Sequence, residues 1–157
     1  MTMLTEQLDD IDLGILRALQ DDGRLTVKEL AAKVHRSTTP VFERLKRLET
    51  NGYIRRYVAI IDADKVGQGF MVFCRVKLSH MNRAIATEFT NYISDLPEVT
   101  ECYNVSGDYD YLLKIYSPSM SAYQEFLLNK LGAFEGLGSI ESTFVMSELK
   151  HDYHLPF

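Results

Sequence analysis

The chain has 157 residues, of which 46% are hydrophobic and 25% are charged, and its formal net charge is −5. This is enough sequence to bury the core of one or two compact domains. The polar opening and the lack of any apolar stretch of about 18 residues argue against a signal peptide and a membrane span, so we expect a soluble cytoplasmic protein without a membrane partner.

The segment LDDIDLGILRALQDDGR predicts a first helix, with Asp9 as its N-cap and Gly23 as its stop. Its apolar residues recur at helical spacing on one face, which is typical of a helix packed against a core. Two short helices follow it and could bury little area by themselves. We therefore expect the first helix to support them.

Two capped helices joined by a very short turn come next. Thr26 followed by Glu29 three residues later is a capping box, which predicts the start of the second helix. The turn is predicted at His35 and Arg36, and Ser37 is predicted to cap the third helix. This arrangement is typical of a helix-turn-helix.

The third helix is predicted to end at Gly52, and its residue types are typical of a DNA recognition helix. The segment from Arg24 to Tyr57 contains nine lysines and arginines and three acids, so its net charge is +6. The chain from Val58 onward has a net charge of −6. A basic island on a helix-turn-helix attracts the phosphates of double-stranded DNA, although a charged run alone can also be a solvated face. The candidate DNA contacts are Lys28, Arg36, Ser37, Thr38, Thr39, Phe42, Glu43, Arg44, Lys46, Arg47, Arg55 and Arg56.

The run YIRRYVAII after Gly52 is apolar and β-branched, which predicts a strand serving as a short wing or as a connector. The following DADKVGQG is rich in glycine and aspartate and is the candidate hinge. We therefore divide the chain into a helix-turn-helix domain with a connecting strand (1–61), a hinge (62–69) and a second domain (70–157).

The second domain begins with FMVFCRVKL, which alternates between apolar and polar residues as a half-buried strand does. A helix over about 83–96, the strands VTECYNVS and YLLKIY, a helix over 120–131 and the strand SIESTFVM follow. The order βαββαβ predicts a ferredoxin-like sandwich, so the fold class is α+β. One sheet face, with Met71 and Phe73 or their neighbours, would be exposed in a monomer, and we expect a homodimer at least.

Metal and redox chemistry is not indicated by the sequence. Cys74 and Cys102 lack the CxxC spacing of a zinc or redox site, and we expect buried free thiols. The histidines show no metal-ligand spacing, apart from a weak pair near the end of the chain, so we expect no metal and no cofactor.

Four segments resemble the Lrp/AsnC family of leucine- or asparagine-responsive "feast-famine" regulators. They are LDDIDLGILRALQDDGR, STTPVFERLKRLETNGYI, ECYNVSGDYDYLLK and SMSAYQEFL, and the resemblance extends over nearly the whole chain. It implies a bacterial or archaeal transcription factor whose second domain senses an amino acid and assembles dimers into octamers. It also implies that the effector lies between dimers.

The hairpin SGDYD is the candidate effector site. Gly107 allows backbone amides to turn toward a carboxylate, and Asp108 or Asp110 can take an ammonium group, so a free amino acid fits, although a plain tight turn uses the same residues. The resemblance implies that the facing subunit contributes from the end of its first strand and from the loop after it, and we expect a leucine, methionine or similar effector. The last strand could supply apolar walls, although packing in the core or in an interface explains its residues at least as well. The candidate effector contacts are Ser106, Gly107, Asp108, Tyr109, Asp110, Ser79, His80, Met81, Asn82, Thr143 and Val145.

Two other functions remain open from the residues alone. Asp108 and Asp110 could hold Mg²⁺ in a ferredoxin-like enzyme, but no glycine-rich phosphate loop or acid/base pattern accompanies them, and we expect no enzymatic activity. The helix-turn-helix could also be a winged module that binds protein instead of DNA.

Overall fold

The computed structural model describes residues 8–157, which group into two compact units. The first unit contains the chain up to Ile60 together with Lys150–Phe157, and the second contains Ile61–Leu149. The last eight residues thus group with the helices and not with the sheet; the domain borders proposed from the sequence stay a prediction. No helix in the described part of the chain is long and apolar enough to cross a membrane.

The order of elements agrees with the predicted α+β architecture. Three helices precede a four-stranded sheet with two further helices. The elements are α1 (Asp10–Asp21), α2 (Val27–Lys33), α3 (Thr38–Thr50), β1 (Phe70–Leu78), α4 (Arg83–Ser94), β2 (Val99–Asn104), β3 (Tyr111–Ser117), α5 (Met120–Asn129), a 3-10 turn (Leu131–Ala133) and β4 (Leu137–Phe144).

Both predicted caps of the first two helices form. The Asp9 carboxylate accepts the N–H of Asp12 at 2.9 Å, and the Asp12 carboxylate accepts the N–H of Asp9 at 3.2 Å. Thr26 and Glu29 make the same reciprocal pair at the start of α2. These bonds satisfy first-turn amides that have no partner within a helix.

The turn and the end of the third helix also agree with the sequence. His35 adopts a left-handed conformation with φ of 53°, which reverses the chain between α2 and α3. Gly52, with φ of 77°, follows the last turn of α3, where a side chain would strain the backbone. Ser37 occupies the N-cap position of α3, but contrary to prediction its side chain makes no capping hydrogen bond.

The prediction of a connecting strand at YIRRYVAII is wrong. Residues 53–61 are not part of any strand in the structure, and Val58, Ile60 and Ile61 are each more than 60% exposed. β-branched residues favour extended backbone, but a strand also needs a neighbour to pair with, and the described part of this chain offers none here. The hydroxyl of Tyr57 donates to Glu49 at 2.8 Å, which fastens the start of this connector to α3.

The sheet has the strand order β2-β3-β1-β4 and is antiparallel throughout. The side chains of β1 alternate as predicted, with the even-numbered positions buried among α4 and α5. Met71, Phe73 and Arg75 therefore point to the other side of the sheet, away from α4 and α5. We call this second side the open face.

The two cysteines differ in environment. Cys74 is buried in β1, and burial raises the pKa of its thiol to about 11. Cys102 lies on the edge strand β2 and is exposed, so the expectation of two buried thiols was wrong for it. An edge strand has a neighbour on one side only, which the residue types of β2 do not reveal.

Candidate DNA-binding and effector sites

The recognition helix α3 is held on α1 by a buried carboxylate. Asp12 is 1% exposed, and its two oxygens accept hydrogen bonds from Arg44 at 2.8 Å and Arg47 at 2.6 Å. Arg44 also reaches Asp9 at 2.7 Å, and the hydrogen bonds to Asp12 and then Asp9 raise the pKa of the Arg44 guanidinium. Two arginines of α3 are therefore bound to α1.

This geometry changes the interpretation of Arg44 and Arg47, which we had predicted to contact DNA. Their guanidinium groups position α3, because a carboxylate buried on α1 requires cationic partners. The sequence contains a signal for this contact that we missed. Asp12 follows Leu8 by four residues and precedes Ile15 by three, so it lies on the buried stripe of α1.

The remaining predicted DNA contacts are exposed on the surface of the helical unit. Thr38 and Thr39 lie in the first turn of α3, and Phe42, at 53% exposed, follows one turn later. An exposed phenylalanine one turn after two threonines suits contact with the apolar methyl groups of a major groove. The other exposed candidates are Lys28, Arg36, Ser37, Glu43, Lys46, Arg55 and Arg56.

The candidate effector hairpin is fastened to the end of β1. The Asp110 carboxylate accepts the N–H of Leu78 at 2.8 Å, and the N–H of Asp110 donates to the carbonyl of Val76 at 2.9 Å. Gly107 has φ of 113°, as the proposed turn requires. Asp110 thus positions the hairpin, whereas Asp108 is exposed and no described residue hydrogen-bonds to its carboxylate.

Tyr109 connects the hairpin to charged residues of the sheet. Its hydroxyl donates to Glu141 on β4, which also pairs with Arg75 on β1. The Arg75 guanidinium lies 5.1 Å from the centre of the Tyr109 ring. The hydrogen bond to Glu141 raises the pKa of Tyr109, and the side chain is committed to holding the hairpin against the sheet.

The structure brings some of the predicted effector contacts together and separates others. The loop 79–82 begins directly after Leu78, beside the hairpin. Thr143 instead pairs with Phe73, five residues earlier on β1, or about 16 Å away at the rise of a strand. Within one subunit, Thr143 and Val145 therefore do not join the hairpin, and strand register is the reason.

Within the loop, the four predicted contacts have different partners. The Ser79 hydroxyl donates to the carbonyl of Gly136 at 3.2 Å, and Asn82 caps α4 by accepting the N–H of Ile85 at 3.0 Å. His80 and Met81 are exposed. Asn82 thus has a structural task that its sequence position, just before a predicted helix, could have indicated.

An open groove of about 270 Å³ lies along α4, between that helix and the start of β3. Tyr111, the residue after Asp110, lines it from β3, and Arg83, the residue after Asn82, lines it from α4. Arg83 is exposed, and among residues 8–157 no carboxylate forms an ion pair with it. The remaining lining residues are Ala86, Thr87, Thr90 and Asn91. We had not predicted this groove.

The metal-dependent alternative concerned Asp108 and Asp110. No group of three or more histidines, cysteines or acids within the described range could hold a metal ion. Asp110 and Asp108 also have different surroundings, because the former accepts a backbone N–H and the latter is exposed.

Family models match both units of the chain. A winged helix-turn-helix DNA-binding model matches residues 8–55, and the Lrp/AsnC ligand-binding domain model matches residues 71–155. The Bkd operon transcriptional regulator of Pseudomonas aeruginosa is 40% identical over 91% of this chain and 94% of its own. The leucine-responsive regulatory protein of Escherichia coli K12 is 37% identical, and the match covers 96% of this chain and 92% of that protein.

Solved structures agree with these matches over almost the whole chain. A transcriptional regulator from Neisseria meningitidis, solved as a complex with L-Met, superposes with a TM-score of 0.91 at 36% identity and covers 96% of this chain and 97% of its own. An AsnC family regulator from Agrobacterium tumefaciens gives a TM-score of 0.90 at 38% identity, and the match covers 95% of this chain and 97% of that one. This chain belongs to the Lrp/AsnC family of DNA-binding transcriptional regulators.

Proposed function

We propose that the protein is a homodimeric, cytoplasmic regulator that reads double-stranded DNA through α3 and responds to a free amino acid bound beside the hairpin 106–110. The observation that carries the effector part is the groove between Arg83, the residue after the loop 79–82, and Tyr111, the residue after the hairpin 106–110. Association of dimers up to octamers would complete this site with residues of a facing subunit. No catalytic step is part of this function.

The DNA-binding part rests on the distribution of charge in the helical unit. With Arg44 and Arg47 bound to Asp12, the exposed cations of this unit surround a nearly neutral reading face. Exposed lysines and arginines then supply phosphate contacts, while Thr38 and Phe42 face the bases. This division assigns affinity to the cations and sequence preference to the first turns of α3.

Replacing Lys46 with alanine is expected to weaken DNA binding about tenfold and to lower the slope of log affinity against log salt by about one. Lys46 is exposed on α3 and has no ion pair within residues 8–157, so its loss should leave the fold unchanged. Titration of the protein's own promoter region at several salt concentrations measures both quantities.

The matched control is Lys65→Ala, which removes one cation from the other unit. It should leave the salt slope unchanged. An unchanged slope for the Lys46 variant would assign the phosphate contacts elsewhere, and failure of the wild-type protein to bind DNA would favour a protein-binding module.

The dimer is supported by the open face of the sheet. Met71, Phe73, Leu112 and Tyr116 contribute partly exposed apolar surface there, and Tyr103 is 51% exposed. Apolar side chains exposed on one sheet face in this way are typical of an association surface. A second copy of the same sheet would cover it, and two recognition helices could then read one palindromic site with greater overall affinity.

The effector part is supported by the chemistry of the groove. The exposed Arg83 offers a partner for a carboxylate, and Asp108 in the adjacent hairpin offers one for an ammonium group. The Neisseria meningitidis relative was solved with L-Met, which is consistent with an apolar amino acid such as methionine or leucine. The ligand can change DNA binding only by its differential affinity for two states, typically about 1 to 3 kcal/mol of coupling.

A thermal-melting screen of single amino acids is expected to reveal stabilisation by one or a few apolar members. Arg83→Ala should lower the affinity for that amino acid about tenfold or more, because a charged hydrogen bond to its carboxylate is lost. Arg24→Ala, at an exposed site in the helical unit, is the matched control. Stabilisation by Mg²⁺ and nucleotides alone would contradict the proposal, as would an unchanged affinity of the Arg83 variant.

A further inference from the structure

The last residues of the chain lie on α1. The N–H of Leu155 donates to the side-chain oxygen of Gln20 at 2.6 Å, and the side-chain nitrogen of Gln20 donates to the carbonyl of Leu155 at 3.4 Å. Both halves of one carboxamide therefore hold the backbone of one residue. This pairing fixes the register of the chain end on the helix.

Contacts on either side extend this docking. Arg17 donates to the carbonyl of Phe157 at 2.9 Å, and its guanidinium lies 5.8 Å from the centre of the Phe157 ring. One ring nitrogen of His154 lies 3.1 Å from the Asp21 carboxylate. Because positions 17, 20 and 21 share one helix face, α1 presents a continuous docking surface away from the stripe that carries Asp12.

We propose that residues 152–157 are a docking strap that attaches the DNA-binding unit to the end of the ligand-sensing unit, at a second point besides the connecting residues 53–69. The strap restrains the motion of the DNA-binding unit when it is docked and frees that motion when it is released. This inference rests on the proposed function, since it gives the sensing unit a route to the unit that binds DNA.

The energetics fit a reversible contact. Each surface hydrogen bond contributes about 1 kcal/mol net, so a few of them form a weak site for a separate peptide. The strap is covalently tethered, however, and tethering supplies an effective concentration in the millimolar range. A weak contact can therefore be formed most of the time and still break when the conformation of the sensing unit changes.

The strap also gives docking a pH dependence. The hydrogen bond with Asp152, and then that with Asp21, raise the pKa of His154 above its ordinary 6.5. Asp152 accompanies His154 when the strap is released, so only the Asp21 part favours docking. That part is fully present below about pH 6.5 and is lost as the pH rises through the raised pKa of the docked state. The charged or titratable groups at residues 17–22 and 150–157 are Arg17, Asp21, Asp22, Lys150, His151, Asp152, Tyr153 and His154.

The test compares Gln20→Ala with Gln124→Ala, which makes the same change on the exposed face of α5. In the full-length wild-type protein the Leu155 amide should be protected from hydrogen exchange, and Gln20→Ala should speed its exchange about tenfold. Nitrogen-15 relaxation should show that residues 10–50 move more independently in the Gln20 variant. Gln124→Ala should behave as wild type in both measurements.

An unprotected Leu155 amide in the wild type would overturn the strap, and so would lost protection without a change in the relaxation of α1–α3. Protection that does not decrease from pH 6 to pH 8 would overturn the role of His154. Neither measurement requires DNA or an amino acid. Failure of the wild-type protein to bind DNA would therefore contradict the proposed function, while exchange and relaxation would still decide the strap.

Discussion

Replacing Asp12 with alanine is expected to lower the free energy of unfolding of the DNA-binding unit by about 2 to 4 kcal/mol. The Asp12 carboxylate is 1% exposed and joins α1 to α3 through Arg44 and Arg47. Its removal leaves two cations at the helix interface without their acceptor. The cost falls toward the low end of this range because Arg44 and Arg47 are 27% and 38% exposed and can regain water.

This cost is large relative to the total. A unit of about 60 residues is stable by only about 3 to 9 kcal/mol, so the Asp12 variant should have a partly unfolded helical unit at physiological temperature. Denaturant unfolding of the full chain, followed by probes in each unit, should show an earlier transition for α1–α3 and an unchanged one for the sheet. DNA affinity should fall with the folded fraction.

Asp10→Ala is the matched control, because Asp10 is exposed on the same helix. Its cost should be about 0.3 to 1 kcal/mol through the helix dipole. A double-mutant cycle between Asp12 and Arg44 should give a coupling energy above about 1 kcal/mol. Equal destabilisation by the Asp10 and Asp12 substitutions would show that the buried pair does not hold α3 in place.

The local signals in the sequence accounted for much of the fold. The capping boxes at Asp9 and Thr26 act within one turn of helix, and the alternation along β1 follows from burial of one sheet face. Each depends on residues a few positions apart. Patterns of this range could therefore be interpreted without knowledge of the tertiary structure.

Contacts between distant segments are not visible in the sequence. Arg44 lies off the apolar stripe of α3 and carries a charge. Its residue type is therefore equally consistent with binding a DNA phosphate and with binding the Asp12 carboxylate, which lies 32 residues earlier. Thr143 was grouped with the hairpin because it lies in the last strand, but pairing with Phe73 places it further along β1. Register and side-chain pairing at long range decide both cases, and neither is encoded locally.

The candidate effector groove shows the same limit. Arg83 and Tyr111 each directly follow a segment that we had predicted, yet neither has a motif of its own. They become neighbours of one groove because the fold places α4 beside the start of β3. The sequence thus indicated the segments of the site, and the fold supplied the side chains between them.

Phe73→Glu is expected to convert the proposed homodimer into a monomer at micromolar concentration. Phe73 lies in the middle of the central strand β1 and points to the open face, between Lys114 of β3 and Thr143 of β4. In a dimer that buries this face, a carboxylate from each copy would lose its water, at a cost of several kcal/mol. The monomer should still fold, because the side chain then remains at the surface.

Sedimentation velocity across a range of protein concentrations measures this effect, and circular dichroism verifies the fold. Leu128→Glu is the matched control, since Leu128 is 77% exposed on α5 and lies on the helical side of the sheet. It should leave the dimer intact. Affinity for a palindromic DNA site should fall by about 10² or more in the Phe73 variant, because the second recognition helix no longer binds as part of the same molecule. If the Phe73 variant stays dimeric with an unchanged dissociation constant, the open face is not the dimer interface, and the avidity attributed to it must come from another surface.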